Sequence, residues 1–354
     1  MRRVICDMIN TDNRFEVKDT AANGEEGLEK LGSETYDAVV MDMVMPKADG
    51  LTVLRRLQQM RKKAKILVFS SKTTEGADIT IQALELGAVD FVHKPNSIMG
   101  AQNENFAREF LDRLYQVSIS RVVTPEAARA PVFFPASSKN EPVKGTARQG
   151  EIPRGIVRSR PGSSKIVAIA SSTGGPKALQ SVIPLLPENL DAPVLIVQHM
   201  PAGFTASLAA RLDSQSNIRV AEAAENMQIL PGHAYVAPGG KHMHIVQKAG
   251  GHFVHLKDGP HREGVKPCAN FMYESLAQCG YDDVVCVVMT GMGADGTEGI
   301  SNLRAVKKCH VITQEQSTCA VYGMPRAAVA KGLSDEVEPL ENLASAITKN
   351  VGVK

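Results

Sequence analysis

The sequence predicts an α/β protein of two domains, each built on a doubly wound, mostly parallel sheet. Three observations carry this. Apolar runs alternate with helix-period stretches in both halves of the chain. A Pro-rich basic segment separates the halves, and several apolar runs end in polar residues able to do chemistry. The chain has 354 residues, 43% hydrophobic and 22% charged, which suits two folded domains rather than a disordered chain. Lys and Arg number 40 against 38 Asp and Glu, a net charge of +2. That balance argues against general nucleic-acid binding, which usually needs a strongly basic domain. No apolar run approaches the ~18 residues of a membrane span. The basic start, Met1-Arg2-Arg3, is followed by Asp7 and Asn10, which interrupt any signal-peptide core. Cysteines at 6, 268, 279, 286, 309 and 319 form no Cys-x-x-Cys pair, so a cytoplasmic protein with reduced thiols and no metal site is expected.

In the first half, Asp37-Ala38-Val39-Val40-Met41 and Lys65-Ile66-Leu67-Val68-Phe69 read as buried strands, with Val89-Asp90-Phe91-Val92 a shorter one. Leu51, Leu54, Leu57 and Met60 recur every three residues, as on one helix face. Ile81, Leu84 and Ala88 behave similarly, and Gly87 is placed to end that helix. Residues 118–163 hold six prolines, eight basic and three acidic residues. Their net charge of +5 leaves −3 for the rest of the chain. So long a polar, Pro-rich stretch reads as a linker between domains at 1–117 and 164–354. Val132-Phe133-Phe134 is an apolar island in it, a docking spot on a domain or a partner motif. In the second half, Ile166-Val167-Ala168-Ile169-Ala170, Val194-Leu195-Ile196-Val197 and Val284-Val285-Cys286-Val287-Val288-Met289 fit strands covered on both faces. Runs at 235–237, 242–246 and 252–256, divided by glycine turns, suggest an antiparallel hairpin added to the sheet.

Asp42 ends the first buried strand, Ser70-Ser71 the second, and Lys94-Pro95 follows the third. A carboxylate, a hydroxyl and an ammonium at one sheet edge suit phosphoryl acceptance: the carboxylate attacks and the other two neutralise phosphoryl oxygens. Taken singly, an Asp after a strand also serves as a cap or turn former. Together, Met41-Asp42-Met43-Val44-Met45-Pro46…Asp49-Gly50, Val68-Phe69-Ser70-Ser71 and Phe91-Val92-His93-Lys94-Pro95 resemble the receiver domain of two-component response regulators, a flavodoxin-like fold. The resemblance implies Asp42 as phosphoacceptor, Ser70 as switching hydroxyl, Phe91 as switch aromatic and Lys94 as phosphate contact. It also implies Mg²⁺ for phosphorylation, but receivers begin with a strand ending in an acidic pair that holds the ion. This chain opens on what reads as the following helix, so either the first strand and its acidic pair lie upstream of Met1, the favoured expectation, or the receiver is impaired; a Mg²⁺ site left with Asp42 and backbone is expected to be poor.

Ala170-Ser171-Ser172-Thr173-Gly174-Gly175-Pro176 directly follows a buried strand, and a helical stretch begins at once. This strand-turn-helix sets a hydroxyl beside helix N-terminal N–H groups, suiting a nucleophile with an oxyanion site or a phosphate site. It matches neither Gly-x-Gly-x-x-Gly nor Gly-x-Ser-x-Gly. His199 ends the next strand as a candidate base, and Asp295, after the strand at 284–289, is available to orient it. Asp295 also reads as an N-cap of the helix starting at Thr297. His242, His244, His252 and His255 form a polar hairpin face rather than a metal site.

The segments Ala168–Pro176, Val197-Gln198-His199-Met200-Pro201, Ala237–Met243 and Met289-Thr290-Gly291-Met292-Gly293-Ala294-Asp295-Gly296 resemble the chemotaxis protein-glutamate methylesterases. With the receiver and linker, that family accounts for essentially the whole chain. It implies a Rossmann-like catalytic domain with Ser172 as nucleophile, His199 as base, Asp295 as orienter, and Thr173 and Met292 near the oxyanion. No cofactor is implied for the esterase. The implied partners are methyl-accepting chemoreceptors, carrying methyl-glutamates and glutamines, and a chemotaxis histidine kinase. Two competing readings are weaker: a DNA-binding output would need a basic recognition helix, and a dinucleotide-binding domain would need the glycine fingerprint.

Overall fold

The computed structural model describes residues 1–71, 73–95, 100, 103–121 and 165–353. The expected linker, apart from 118–121, and the Val132-Phe133-Phe134 island lie outside the described residues. The first half contains α1 (Arg2–Asn10), α2 (Gly24–Ser33), β1 (Val39–Asp42), α3 (Gly50–Gln59), β2 (Ile66–Ser70), α4 (Thr74–Glu85), β3 (Asp90–His93) and α5 (Glu104–Ile119). Its three strands are parallel, in the order β1-β2-β3, and β2 at the centre is wholly buried. Short polar side chains start the helices: Asn23, Asp49 and Thr73 accept from the N–H groups of Glu26, Thr52 and Gly76. Gly87, at φ +107°, ends α4 as expected, and α5 runs two residues past the expected boundary at 117.

One predicted stripe fails. Val53, Leu54 and Leu57 are buried, but Leu51 is only half-buried and Met60 is exposed. Nine residues at 100° each turn a helix by ~900°, so Leu51 and Met60 point to opposite sides.

The second half contains β4 (Lys165–Ser171), α6 (Gly175–Val182), β5 (Val194–Gln198), α7 (Phe204–Gln215), β6 (Arg219–Glu222), β7 (His233–Val236), β8 (His242–Lys248), β9 (Gly251–Lys257), α8 (Ala269–Leu276), β10 (Asp283–Val288), α9 (Thr297–Arg304), β11 (Lys308–Gln314), α10 (Met324–Ala330), β12 (Glu336–Glu338) and α11 (Leu343–Val351). Seven of its strands form a parallel sheet in the order β12-β11-β10-β4-β5-β7-β6. From β4 the chain winds toward β5, then returns to β10 on β4's other side. Ligand crevices in open α/β sheets form at such a reversal, beyond the carboxyl ends of the strands. The expected hairpin is corrected in one respect. Tyr235 and Val236 belong to β7 and pair in parallel with β5 and β6, while β8 and β9 make a separate antiparallel pair. A buried apolar run is read as strand by its length and composition, but its partner's direction is set by the crossover before it.

The two halves pack together. Phe91 stacks on Phe204 with ring centroids 4.6 Å apart, and His93 meets the same ring edge-on. Arg211 grips Glu85 with two hydrogen bonds, at 2.6 and 2.9 Å. No helix among the described residues is long and apolar enough to cross a membrane.

Candidate active site

Three neighbouring strands deliver three loops to one crevice. Ser171 pairs with Gln198 in register, and the N–H of His199 donates to the Ser171 carbonyl at 3.1 Å. On the other side of β4, the Ser172 N–H donates to the Thr290 carbonyl at 3.0 Å. Gly291 is required by this packing, since a Cβ there would lie 2.7 Å from the Ser172 Cβ and 2.5 Å from the Met324 Sδ. Gly174, at φ +76°, turns the chain into α6. The buried Gln198 amide donates to the Ser172 carbonyl at 3.0 Å and accepts from the Ser171 hydroxyl at 2.7 Å, tying the two strand ends together. Ser172 Oγ carries no hydrogen bond among the described residues.

His199 and Asp295 meet directly, Nε2 to Oδ2 at 2.7 Å, both nearly buried. Oδ2 also accepts the Ala269 N–H at 2.6 Å, while Oδ1 accepts the Asn270 N–H at 2.9 Å and the Cys268 thiol at 3.0 Å. Burial disfavours the charged carboxylate, but the His199 bond and these donors outweigh it and hold the Asp295 carboxyl below its ordinary value. The expected alternative for Asp295 is corrected: Gly296, not Asp295, precedes α9 as its cap. Asp295 instead caps α8, and Asn270 at the start of α8 returns the favour, its Oδ1 accepting from Gly296 and Gly299 of α9.

Thr173 is buried, and its hydroxyl donates to Asp90 Oδ2 of the first half at 2.8 Å. Met292 is exposed, with 43% of its surface open to solvent. The backbone N–H groups of Thr173 and Met292 have no acceptor among the described residues, so they are available to a bound oxygen. Gly239 packs its backbone on Pro201 and Ala202, closing the crevice behind His199; a Cβ there would fall 2.2 Å from Pro201. The hairpin histidines are engaged locally. His242 Nε2 donates to the Pro260 carbonyl, His252 stacks on Tyr281 at 4.1 Å, and His255 pairs with Glu225. Half-burial depresses the His244 pKa to about 4.

At the first sheet's edge, Asp42 and Lys94 form an ion pair, and Asp42 Oδ1 also accepts the Val44 N–H at 3.2 Å. Ser70 is buried and bonds instead to Thr80, at 2.5 Å, and the Gly76 carbonyl, at 3.2 Å. Phe91 is buried against Phe204, not beside Asp42. Cys268, Ala269, Asn270 and Gln198 were not foreseen. The only local hint was a Pro-Cys-Ala-Asn start of a helix, which names no partner.

With this geometry in view, the class is a response regulator: a receiver joined to a mostly parallel α/β esterase domain. The CheB methylesterase family profile matches residues 167–347, and that of the response regulator receiver domain matches 1–100. The chain belongs to the CheB methylesterase family. A protein-glutamate methylesterase/protein-glutamine glutaminase of Syntrophomonas wolfei is 40% identical over 352 residues, covering 98% of this chain and 95% of that protein. One of Bacillus subtilis is 37% identical over 359 residues, covering 99% and 95%. The crystal structure of the Thermotoga maritima CheB methylesterase catalytic domain, 39% identical, superposes with a TM-score of 0.51, covering 53% of this chain and 98% of that one.

Proposed function

We propose that this protein hydrolyses glutamate methyl esters, and deamidates glutamines, on the cytoplasmic helices of methyl-accepting chemoreceptors during adaptation. The observation that carries the reading is the meeting of the Ser172, His199 and Asp295 loops at one crevice, with a 2.7 Å imidazole–carboxylate bond. With Nε2 held by Asp295, Nδ1 is the nitrogen left to take the Ser172 proton. Ser172 Oγ attacks the ester carbonyl, His199 returns the proton to the departing methoxide, and methanol leaves. Water, deprotonated by His199, then cleaves the acyl-enzyme to give glutamate and free Ser172. An amide substrate would follow the same course with ammonia departing. The free N–H groups of Thr173 and Met292 are the candidate oxyanion donors. No cofactor enters this chemistry.

The receiver regulates it. Thr173, next to the nucleophile, is held by Asp90, and Phe204, at the end of the His199 loop, is covered by Phe91. Two of the crevice's three loops therefore touch the receiver, which supports a resting enzyme whose crevice is occluded. Phosphorylation of Asp42 by a chemotaxis histidine kinase, with Lys94, Ser70 and Phe91 as responders, would shift the population toward release. Among the described residues no group of three His, Cys, Asp or Glu side chains could hold a metal ion. Asp42 with Lys94 on its carboxylate does not make a Mg²⁺ site.

The test is methanol release from a methylated receptor fragment. Ser172→Ala should lose roughly 10⁴-fold or more in turnover while keeping its circular dichroism and melting temperature. Near-parental turnover would remove Ser172 from the mechanism.

A further inference from the structure

Cys268 is fully buried one position before α8, and its Sγ donates to Asp295 Oδ1 at 3.0 Å. Burial, and then the adjacent carboxylate, push its thiol well above the ordinary cysteine range. It is therefore a donor near neutral pH and not a nucleophile. The Asp295 carboxylate is shared out in two pairs: Oδ2 takes His199 Nε2 and the Ala269 N–H, and Oδ1 takes the Asn270 N–H and the Cys268 thiol. Two of these donors are backbone groups of one helix end. Without the thiol, Oδ1 keeps only Asn270 and the carboxylate is freer to rotate about its Cβ–Cγ bond. The other titratable groups facing Asp295 are His242 and Tyr273. His242 Nε2 donates to the Pro260 carbonyl, and the Tyr273 hydroxyl is spent on the carbonyls of Ala168 and Val287, so neither stands in for the thiol.

We infer that Cys268 is a positioning residue for the hydrolysis: its thiol fixes the rotation of the Asp295 carboxylate and, through it, the plane of the His199 ring. The inference rests on the Ser172–His199–Asp295 reading above. Donation and packing are separated by comparing serine with alanine, which differ mainly in the donor. Cys268→Ser keeps a donor in a smaller volume, Cys268→Ala has nearly the serine's volume and no donor, and Cys268→Val is somewhat larger than cysteine and has no donor.

The experiment measures methanol release by the full chain, together with the low-field imidazole N–H proton resonance of His199. Cys268→Ser should keep kcat within about twofold and retain the resonance. Cys268→Val should lose kcat roughly tenfold at unchanged KM, below the ~10² that a full ångström of misplacement can cost, and should shift or broaden the resonance. Should the valine variant fail to fold, Cys268→Ala, checked by thermal melting, should show the same tenfold loss. Parental kcat in the donor-less variants, or a larger loss for serine than for valine, would overturn the inference. Ser172→Ala run alongside separates the two failures. If Ser172→Ala is inert while Cys268→Val matches the parent, only the positioning role falls; if Ser172→Ala turns over, both fall.

Discussion

Asp295 and Asp42 both stand just past or at the end of a parallel strand, yet their surroundings are opposite. Asp295 is nearly buried and takes four hydrogen bonds from His199, Cys268, Ala269 and Asn270. Asp42 is about a third exposed and is held by Lys94 and one backbone N–H. The first carboxylate is built into its scaffold, as the proposed orienting role requires. The second is left reachable, as a group that is to be modified and demodified must be. The same fold grammar thus yields a carboxylate locked in its scaffold in one domain and a reachable one in the other, which supports the proposed roles of orienter and phosphoacceptor, and the difference lies in the number of donors around each.

The comparison breaks most sharply at Asp295 itself. Asp295→Asn should cost about 10⁴-fold in turnover, measured as methanol release, because the imidazole loses its charged partner. Its stability should change with pH as well. A carboxyl held below its ordinary value stabilises the fold above the unfolded value of ~4, and that contribution fades as pH falls through the folded value. The melting temperatures of parent and variant should therefore differ most above pH ~4 and converge in stronger acid. Gly291→Ala presses a methyl group onto Ser172 from the loop after β10 and should lower kcat by up to ~10²-fold, with KM and secondary structure retained. On the receiver side the effect reverses in sign. Asp90→Ala frees Thr173 and leaves Arg113 with Glu109 as its remaining acidic partner, and should raise basal turnover of the unphosphorylated full chain about fivefold, the equivalent of one hydrogen bond. Arg211→Ala, which removes the partly exposed pair with Glu85, should change basal turnover less than about twofold. A larger effect there than at Asp90 would move the control point from the crevice to the helix faces.

The strand ends were legible because the signal is local: a buried run, then Ser172, His199 or Asp295, each placed on one sheet edge by the rule for parallel sheets. What Asp295 binds was not legible. Cys268, Ala269 and Asn270 lie some 25 residues earlier and reach it only through the packing of α8 against α9. The contact of Asp90 with Thr173 spans 83 residues and two domains, and no periodicity marks it. Conversely, the spacing of Leu51 and Met60 suggested one face where helical geometry provides two. The Tyr235 run was recognisable as strand, but its parallel pairing depended on a crossover no short window contains.

The bond from Thr173 to Asp90 makes the two domains share a single polar group, and thermodynamic linkage then runs both ways. On the proposed regulation, the factor by which phosphorylation of Asp42 strengthens occupation of the crevice is the factor by which an occupant of the crevice favours the phosphorylated receiver. A transition-state analogue seated on Ser172 would act, at a distance, as an effector of Asp42.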